Sequence, residues 1–417
     1  MMPPTSPPGL DTRRAALRLL DAVLRRGLPL EAALEGATRE LTRPDDRGLA
    51  HAIAAEVLRR LPDLDAAIDS ATQQRLPPDS KARFALRIAL AQALGLGTPG
   101  HAAIATVLPL MDGGPRRLVH GVFGALMRRQ VALPDPPSLP RSVEERWRTA
   151  WGTEMTEAAR HMLAAQPPLD LSFRDQATAD RAEGKALAAH HRRLPARGKI
   201  TEIAGFVEGD WWVQDLAASL SARLLGAGDG RQVLDLCAAP GGKTLQLAAN
   251  GWQVTAIDSS GARLDRLREN LERTQLSAEI VEADVLTWAP PQPVDAILLD
   301  APCSATGIFR RHPDVLHRVR PRVITEMAEL QRAMLARAAT WLKPGGVLVF
   351  STCSLEREEG EAHLGHVDGL ALDAINASEL PAGIAPHPDG HVRTLPTMLA
   401  DKGSLDGFFI ARFTRRA

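Results

Sequence analysis

Two cysteines stand where apolar runs end: Cys303 in "LLDAPCSATG" and Cys353 in "VLVFSTCSLE". A thiolate is a strong nucleophile, and it forms where a helix end or a polarised partner lowers a thiol pKa that is ordinarily about 8.5. A single strand-end cysteine reads equally well as a small buried residue, because cysteine is among the most buried types. Two of them, each at a strand end, point to paired chemistry.

Aspartates close four successive apolar runs: Asp235 in "VLDLCAAPGGKT", Asp258 in "WQVTAID", Asp284 in "AEIVEAD" and Asp300 in "VDAILLD". The first leads into a Gly241-Gly242 turn, and glycines at a strand end let the backbone approach a ligand closely. The turn is neither G-x-G-x-x-G nor a Walker A loop, so it specifies no dinucleotide and no triphosphate, and alone it also fits an empty structural turn. An aspartate ending the next strand can accept both hydroxyls of a ribose. Each aspartate singly also suits a helix N-cap, a reading that is poorer for four in succession.

These residues need strand ends to stand on, and the chain from Arg231 onward supplies them. Runs rich in Val, Ile and Leu alternate with helical stretches, the signature of βαβ units and a parallel sheet. The last run, "GFFIARF", has no full helix before it and is expected to pair antiparallel. From Asp11 to about Gln130 the period is helical instead: Ala16, Leu19, Leu20, Val23 and Leu24 share one face, and Gly27 marks a stop. The expected organisation is a helical domain over 1–130, a proline-rich linker over 131–142, a small intermediate domain over 143–230, expected to contact RNA, and a catalytic domain over 231–417.

Composition sets the frame. The chain has 417 residues, 45% apolar and 24% charged, enough for a large core and two or three domains. Its 50 basic and 50 acidic residues cancel, so no global field advertises nucleic acid. Three cysteines without a C-x-x-C pair argue against a disulfide framework or a zinc site and predict a reduced, cytoplasmic protein with no metal. Neither a signal region nor a membrane span is expected.

Taken together, "DLCAAPGGKT", "DAPCSATGIFRRHPD" and "STCSLEREEGE" resemble the cofactor and cysteine motifs of the RNA cytosine-5 methyltransferases that use S-adenosyl-L-methionine. With its helical N-terminus, the chain is similar over nearly its whole length to the bacterial RsmB (Sun/Fmu) family, which methylates 16S rRNA and carries a NusB-like domain. The resemblance implies an all-α NusB-like bundle, then an α/β class I methyltransferase domain, Rossmann-like with a mostly parallel sheet. It implies that Cys237, Ala238, Ala239, Pro240, Gly241, Gly242 and Lys243 wrap S-adenosyl-L-methionine, that Asp258 holds its ribose, that Asp284 lies near the adenine, and that Asp300 lies where cofactor and target base meet. It makes Cys353 the nucleophile and Cys303 the residue that helps release product. Cys237 itself has no assigned chemistry and is expected to pack beside the loop. Ala305 departs from a glycine common after the first cysteine, and Gly360 from an asparagine common after the second.

That implied reaction needs two thiols. Carbon 5 of cytosine is too weak a nucleophile to take a methyl group from a sulfonium until a thiolate adds at C6. Its hydrogen must then leave and the enzyme be expelled, which calls for a base distinct from the attacking sulfur. Asp300 would support protonation at N3.

Basic clusters at Arg310, Arg311, Arg318, Arg320 and Arg322, at Arg192, Arg193, Arg197 and Lys199, and at Arg13, Arg14, Arg25 and Arg26 are expected to meet phosphates, or else to be solvated faces. With no tyrosine and 4% aromatic content, a structured RNA with one flipped base fits better than a single-strand stacking platform. The protein is expected to be a monomer with small-subunit rRNA as partner. A tRNA methyltransferase shares every motif. A non-catalytic RNA- or ribosome-binding factor with a relic cofactor fold is the alternative outside enzymes, and the intact motifs speak against it.

Overall fold

The computed structural model describes residues 9–195, 198–365 and 367–416. Two units divide the chain, and each takes in segments that are distant in sequence.

The first unit runs to Thr149 and adds Ala159–Ala165 and Phe309–Arg320. Its helices are α1 (Leu10–Leu24), α2 (Leu30–Thr38), α3 (Pro44–Arg59), α4 (Leu61–Ser70), α5 (Lys81–Leu90), α6 (Gly100–Val107) and α7 (Gly113–Arg128). Local signals set their ends. Pro44 opens α3 with Asp45 and Asp46 in its first turn, and the Ser80 hydroxyl caps α5 by accepting from Arg83 N at 3.3 Å. The expected face of α1 is inward: Ala16, Leu19, Leu20 and Val23 are buried among Ile53, Val57, Leu86 and Phe123. Each such large side chain contributes roughly 1.5–3 kcal/mol.

Residues 131–142 are pinned to this unit. Asp63 accepts from Ser138 N at 3.0 Å, Arg60 donates to Pro134 O at 2.6 Å, and Arg160 donates to Pro136 O and Pro137 O. Proline supplies carbonyls but no N–H, so arginine side chains are natural partners for such a stretch. Helix α8 (Arg141–Ala164) bends at Gly152, whose φ is +84°, and contributes to both units.

The second unit opens with a four-stranded antiparallel sheet ordered β2-β3-β1-β4: β1 (Leu169–Phe173), β2 (Lys185–Ala188), β3 (His191–Leu194) and β4 (Trp211–Val213), with α9 (Gln176–Arg181) between β1 and β2. After α10 (Leu216–Arg223) come β5 (Gln232–Leu236), α11 (Gly242–Ala249), β6 (Gln253–Asp258), α12 (Gly261–Thr274), β7 (Glu279–Glu282), β8 (Val294–Asp300), α13 (Val315–Arg318), α14 (Pro321–Thr340), β9 (Leu342–Thr352), β10 (Leu370–Leu372), β11 (Val392–Thr394) and β12 (Phe408–Arg415). Of these, α13 belongs to the first unit.

The large sheet runs β10-β12-β9-β8-β5-β6-β7, with β11 also on β12. Strands β5 to β9 pair in parallel, and β12, which contains "GFFIARF", pairs antiparallel with β9 as expected. Helices sandwich it. Leu216, Leu220 and Leu247 pack with Val233 and Leu298, while Met334, Leu335 and Ala338 of α14 pack with Leu234, Ile297 and Leu348.

Phe309–Arg320 interrupts the predicted catalytic domain and is part of the helical unit. Phe309 packs against Trp147, the rings tilted at 52° with centroids 5.3 Å apart, His317 Nε2 lies 2.6 Å from Leu58 O, and Asp314 accepts from Leu30 N and Arg318 Nε. The arginine density of this segment therefore serves packing as well as surface charge. Arg310 is buried, Arg318 pairs with Asp314, and Arg322, just beyond the segment, pairs with Glu326. The other basic clusters are similarly engaged. Arg13 is buried against Gln92, Arg14 pairs with Asp11, and Arg25 and Arg26 share Asp21. Arg193 forms a buried two-pronged pair with Asp170, Arg192 pairs with Asp180, and Lys199 pairs with Glu202. Phosphate contact by Arg13, Arg193 and Arg310 is thus corrected to an internal role. Arg197 lies outside the described residues.

Candidate active site at the strand ends

Strand β5 is the point where sheet order reverses, with β6 on one side and β8 on the other, and open α/β sheets bind ligands in the crevice at the carboxyl ends there. All the predicted site residues belong to this unit. The loop from Cys237 to Gly241 leaves β5 with Cys237 at φ +62°, and Gly241 opens α11 at φ +107°. That positive φ favours glycine at 241, and a Cβ there would also press on Leu267 Cδ1 at 2.3 Å.

Asp258 ties this loop to β6. Its Oδ2 accepts from Ala239 N at 3.1 Å and lies 3.4 Å from Arg263, and its Oδ1 accepts from Ser260 N at 3.0 Å. Asp235 is fully buried; Oδ2 accepts from Thr244 Oγ1 at 2.6 Å, while Oδ1 has no hydrogen-bond partner. Burial pushes its pKa up to about 7. Asp284 is exposed beyond β7 and caps the following turn through Leu286 N at 2.8 Å. Cys237 is held as a thiol, its pKa pushed up to about 12 by burial and then by Asp258, Asp300 and Asp235.

At the end of β8, Asp300 bridges the cofactor loop and the cysteines. Its Oδ2 lies 2.7 Å from Lys243 Nζ, and its Oδ1 accepts from Ser351 Oγ at 2.8 Å, two residues before Cys353. Burial works against the Lys243 charge, but the Asp300 carboxylate, with Cys353 and Asp235, outweighs it and raises the lysine pKa.

The two predicted thiols meet. Cys303 Sγ and Cys353 Sγ are 3.4 Å apart, a hydrogen-bond distance well beyond the roughly 2.0 Å of a disulfide. The hydrogen bond to Cys353, then burial, raises the Cys303 pKa well above the usual thiol value, so Cys303 is held as a thiol.

Sequence reasoning missed the residues that hold this pair. Glu359 accepts from Ser304 N at 2.8 Å and from Gln331 Nε2 at 3.2 Å, and its carbonyl accepts from Thr352 Oγ1 at 2.9 Å, so one residue fastens both cysteine loops. Gly307 N donates to Cys353 O at 2.9 Å, and a Cβ on Gly307 would fall 1.9 Å from Gly407 O. Gly360 also acquires a reason. A Cβ there would meet Arg393 Nη2 at 2.5 Å, and that guanidinium, paired with Glu361, donates to Ser354 O beside the nucleophile position. Arginine thus occupies the space that an asparagine would need. Glu359 lay within a quoted motif; Arg393, in a short strand far downstream, gave no signal.

The donor set fits S-adenosyl-L-methionine. Its sulfonium and ammonium are cations and its ribose is a diol, and four carboxylates, those of Asp235, Asp258, Asp284 and Asp300, stand at or just beyond consecutive strand ends, one of them with a buried oxygen that has no hydrogen-bond partner.

A mostly parallel sheet of this order with an antiparallel strand beside β9, bearing this loop and acidic row, defines a class I S-adenosyl-L-methionine-dependent methyltransferase. Residues 222–414 match the 16S rRNA methyltransferase RsmB/F family and residues 10–114 match the NusB family. The chain belongs to the RsmB/F family of 16S rRNA methyltransferases. It is 34% identical over 432 residues to the ribosomal RNA small subunit methyltransferase B of Xanthomonas campestris, covering 98% of each chain, and 32% identical over 370 residues to that of Erwinia tasmaniensis, covering 80% of this chain and 82% of the relative. The crystal structure of PH0851 shares the fold, with a TM-score of 0.73 at 22% identity over 98% of this chain and 99% of that one. No helix among the described residues is long and apolar enough to cross a membrane.

Proposed function

We propose that the protein methylates C5 of a cytosine in 16S rRNA through a covalent bond between Cys353 Sγ and C6, acting in the cytoplasm as a monomer. The observation that carries this reading is the 3.4 Å approach of two thiols from separate strand ends, with Asp300 linked to both the cofactor loop and Ser351.

In this reading, residues 237–243 with Asp258, Asp284 and Asp300 form the binding site for S-adenosyl-L-methionine, which when bound supplies the electrophilic methyl group. Cys353, as thiolate, donates an electron pair to C6. The pair displaced into the ring is taken up at N3, where Asp300, hydrogen-bonded to Lys243, supports protonation. Once C5 carries the methyl group, its hydrogen leaves as a proton to solvent, the C6–S bond breaks with its electron pair returning to the Cys353 sulfur, and the proton gained at N3 is released to restore neutral cytosine. Cys303, protonated and 3.4 Å away, donates a hydrogen bond to that departing thiolate.

Incubating the protein with methyl-labelled S-adenosyl-L-methionine and total RNA from cells lacking it tests the reading. Label on a single cytosine, located by bisulfite mapping, is expected. Label on tRNA alone, or none, would overturn it.

A further inference from the structure

A recess of about 280 Å³ lies between the small sheet, the end of α10 and the end of α11. Phe173 and Trp212 line it, together with His190, Arg223, Gln246 and Asn250, and no acidic residue does. Its volume is just below the range of about 300–1,000 Å³ usual for ligand sites, so it suits a small group such as a single phosphate.

The polar groups in it are unequal. Gln246 is spent on Ser219 O and Gln214, and the Trp212 indole N–H on Gln214 Oε1. The Arg223 guanidinium has one hydrogen bond among the described residues, from Nε to Ser219 Oγ at 3.1 Å, and no carboxylate within ion-pair distance. Other arginines whose charge burial disfavours have better acceptors: Arg13 has Gln92 Oε1, and Arg273 has the carbonyls of Phe206 and Trp211. Burial alone lowers the Arg223 pKa to about 10, so it stays cationic at neutral pH. The ring of His190 and the side-chain amide of Asn250 make no hydrogen bond among the described residues. Three donors and no anion face one recess.

We propose that this recess is an anion site that takes a backbone phosphate of the substrate RNA. Gly226 and Ala227 precede β5 and Asn250 precedes β6, which puts the recess toward the amino ends of those strands, opposite the cysteines. It holds RNA remote from the methylated cytosine. The proposal rests on the reading of the protein as an RNA methyltransferase.

The test measures binding of the full chain to a 16S rRNA fragment from 50 to 200 mM salt. Arg223→Ala is expected to weaken binding about tenfold and to reduce the slope of log K against log salt by about 0.7–0.9, while Arg223→Lys keeps the slope. The double variant His190→Ala/Asn250→Ala, which removes no charge at neutral pH, is expected to bind several-fold more weakly with its melting temperature unchanged. It also serves as the test if Arg223→Ala does not fold. Wild-type affinity and slope in the variants would overturn the site while leaving the methyltransferase reading intact, provided wild-type protein labels the RNA. Inorganic phosphate that raises the melting temperature of wild type but not of Arg223→Ala, with RNA binding unaffected, would assign the recess to a free anion and overturn the RNA assignment.

Discussion

Asp258 holds the cofactor loop as well as any ligand, because two backbone amides and Arg263 already converge on its carboxylate. Asp258→Ala is expected to weaken S-adenosyl-L-methionine binding by about 2–4 kcal/mol, since ligand contacts and loop order are lost together. Calorimetry that finds unchanged affinity would remove Asp258 from the site. Ala305 offers a subtler case. Its φ of +58° is the left-handed region, where a side chain costs about 1–2 kcal/mol and the unfolded-state entropy of glycine returns part of that. Ala305→Gly is expected to raise stability by about 0.5–1 kcal/mol in urea melts, and a loss of stability would contradict this. At this scale the sequence was informative where chemistry fixes residue type: both thiols and the strand-end aspartates could be read from it. Glu359 and Arg393 could not, because their work is to accept from Ser304 N and to donate to Ser354 O, and which backbone groups come within reach is decided by tertiary packing.

Among the elements, the segment Phe309–Arg320 departs most from expectation, since a run rich in arginine and histidine reads as surface. In the fold it is held by Asp314, by Phe309 on Trp147, and by neutral His317 donating to Leu58 O. Burial pushes the His317 pKa down to about 4 from an ordinary 6.5. A depressed histidine pKa means that the unfolded chain binds the proton first. The stability tied to neutral His317 is therefore full above about pH 6.5 and is lost as pH falls toward 4, by up to roughly 3 kcal/mol. Urea melts at pH 7.5 and 5 should show a smaller acid loss for His317→Gln, which keeps a neutral donor, than for wild type. Equal losses would contradict this account. The strands, by contrast, followed the sequence pattern closely, because strands buried on both faces must be continuous apolar runs and, among the described residues, no full helix lies between β9 and β12 to carry a parallel crossover.

The chain as a whole has no net charge, and many of its arginines are committed to carboxylates or carbonyls, so RNA recognition has to rest on a few placed cations rather than on a field. Domain boundaries were only partly legible. The proline-rich stretch reads as a linker yet stays within the helical unit, which runs on to Thr149, and Phe309–Arg320 returns to that unit from within the catalytic sequence, where no local pattern announces a long-range return. A protein starting at Val143 lacks Leu30 and Leu58, the partners of Asp314 and His317. It is expected to bind S-adenosyl-L-methionine, since the strand-end residues are all present, yet to melt lower and to methylate poorly. Full activity and an unchanged melting temperature would show that the helical unit contributes neither support nor RNA placement. The account of the intact enzyme turns on a covalent bond to RNA, and a denaturing gel with labelled 16S rRNA and S-adenosyl-L-methionine tests it most directly. Cys303→Ala is expected to give a retarded, denaturant-resistant band of protein joined to methylated RNA, because attack by Cys353 proceeds while release is slowed; Cys353→Ala is expected to give no such band and no methyl transfer. The reverse pattern would exchange the two roles, and methyl transfer persisting in both variants without an adduct would contradict the covalent mechanism.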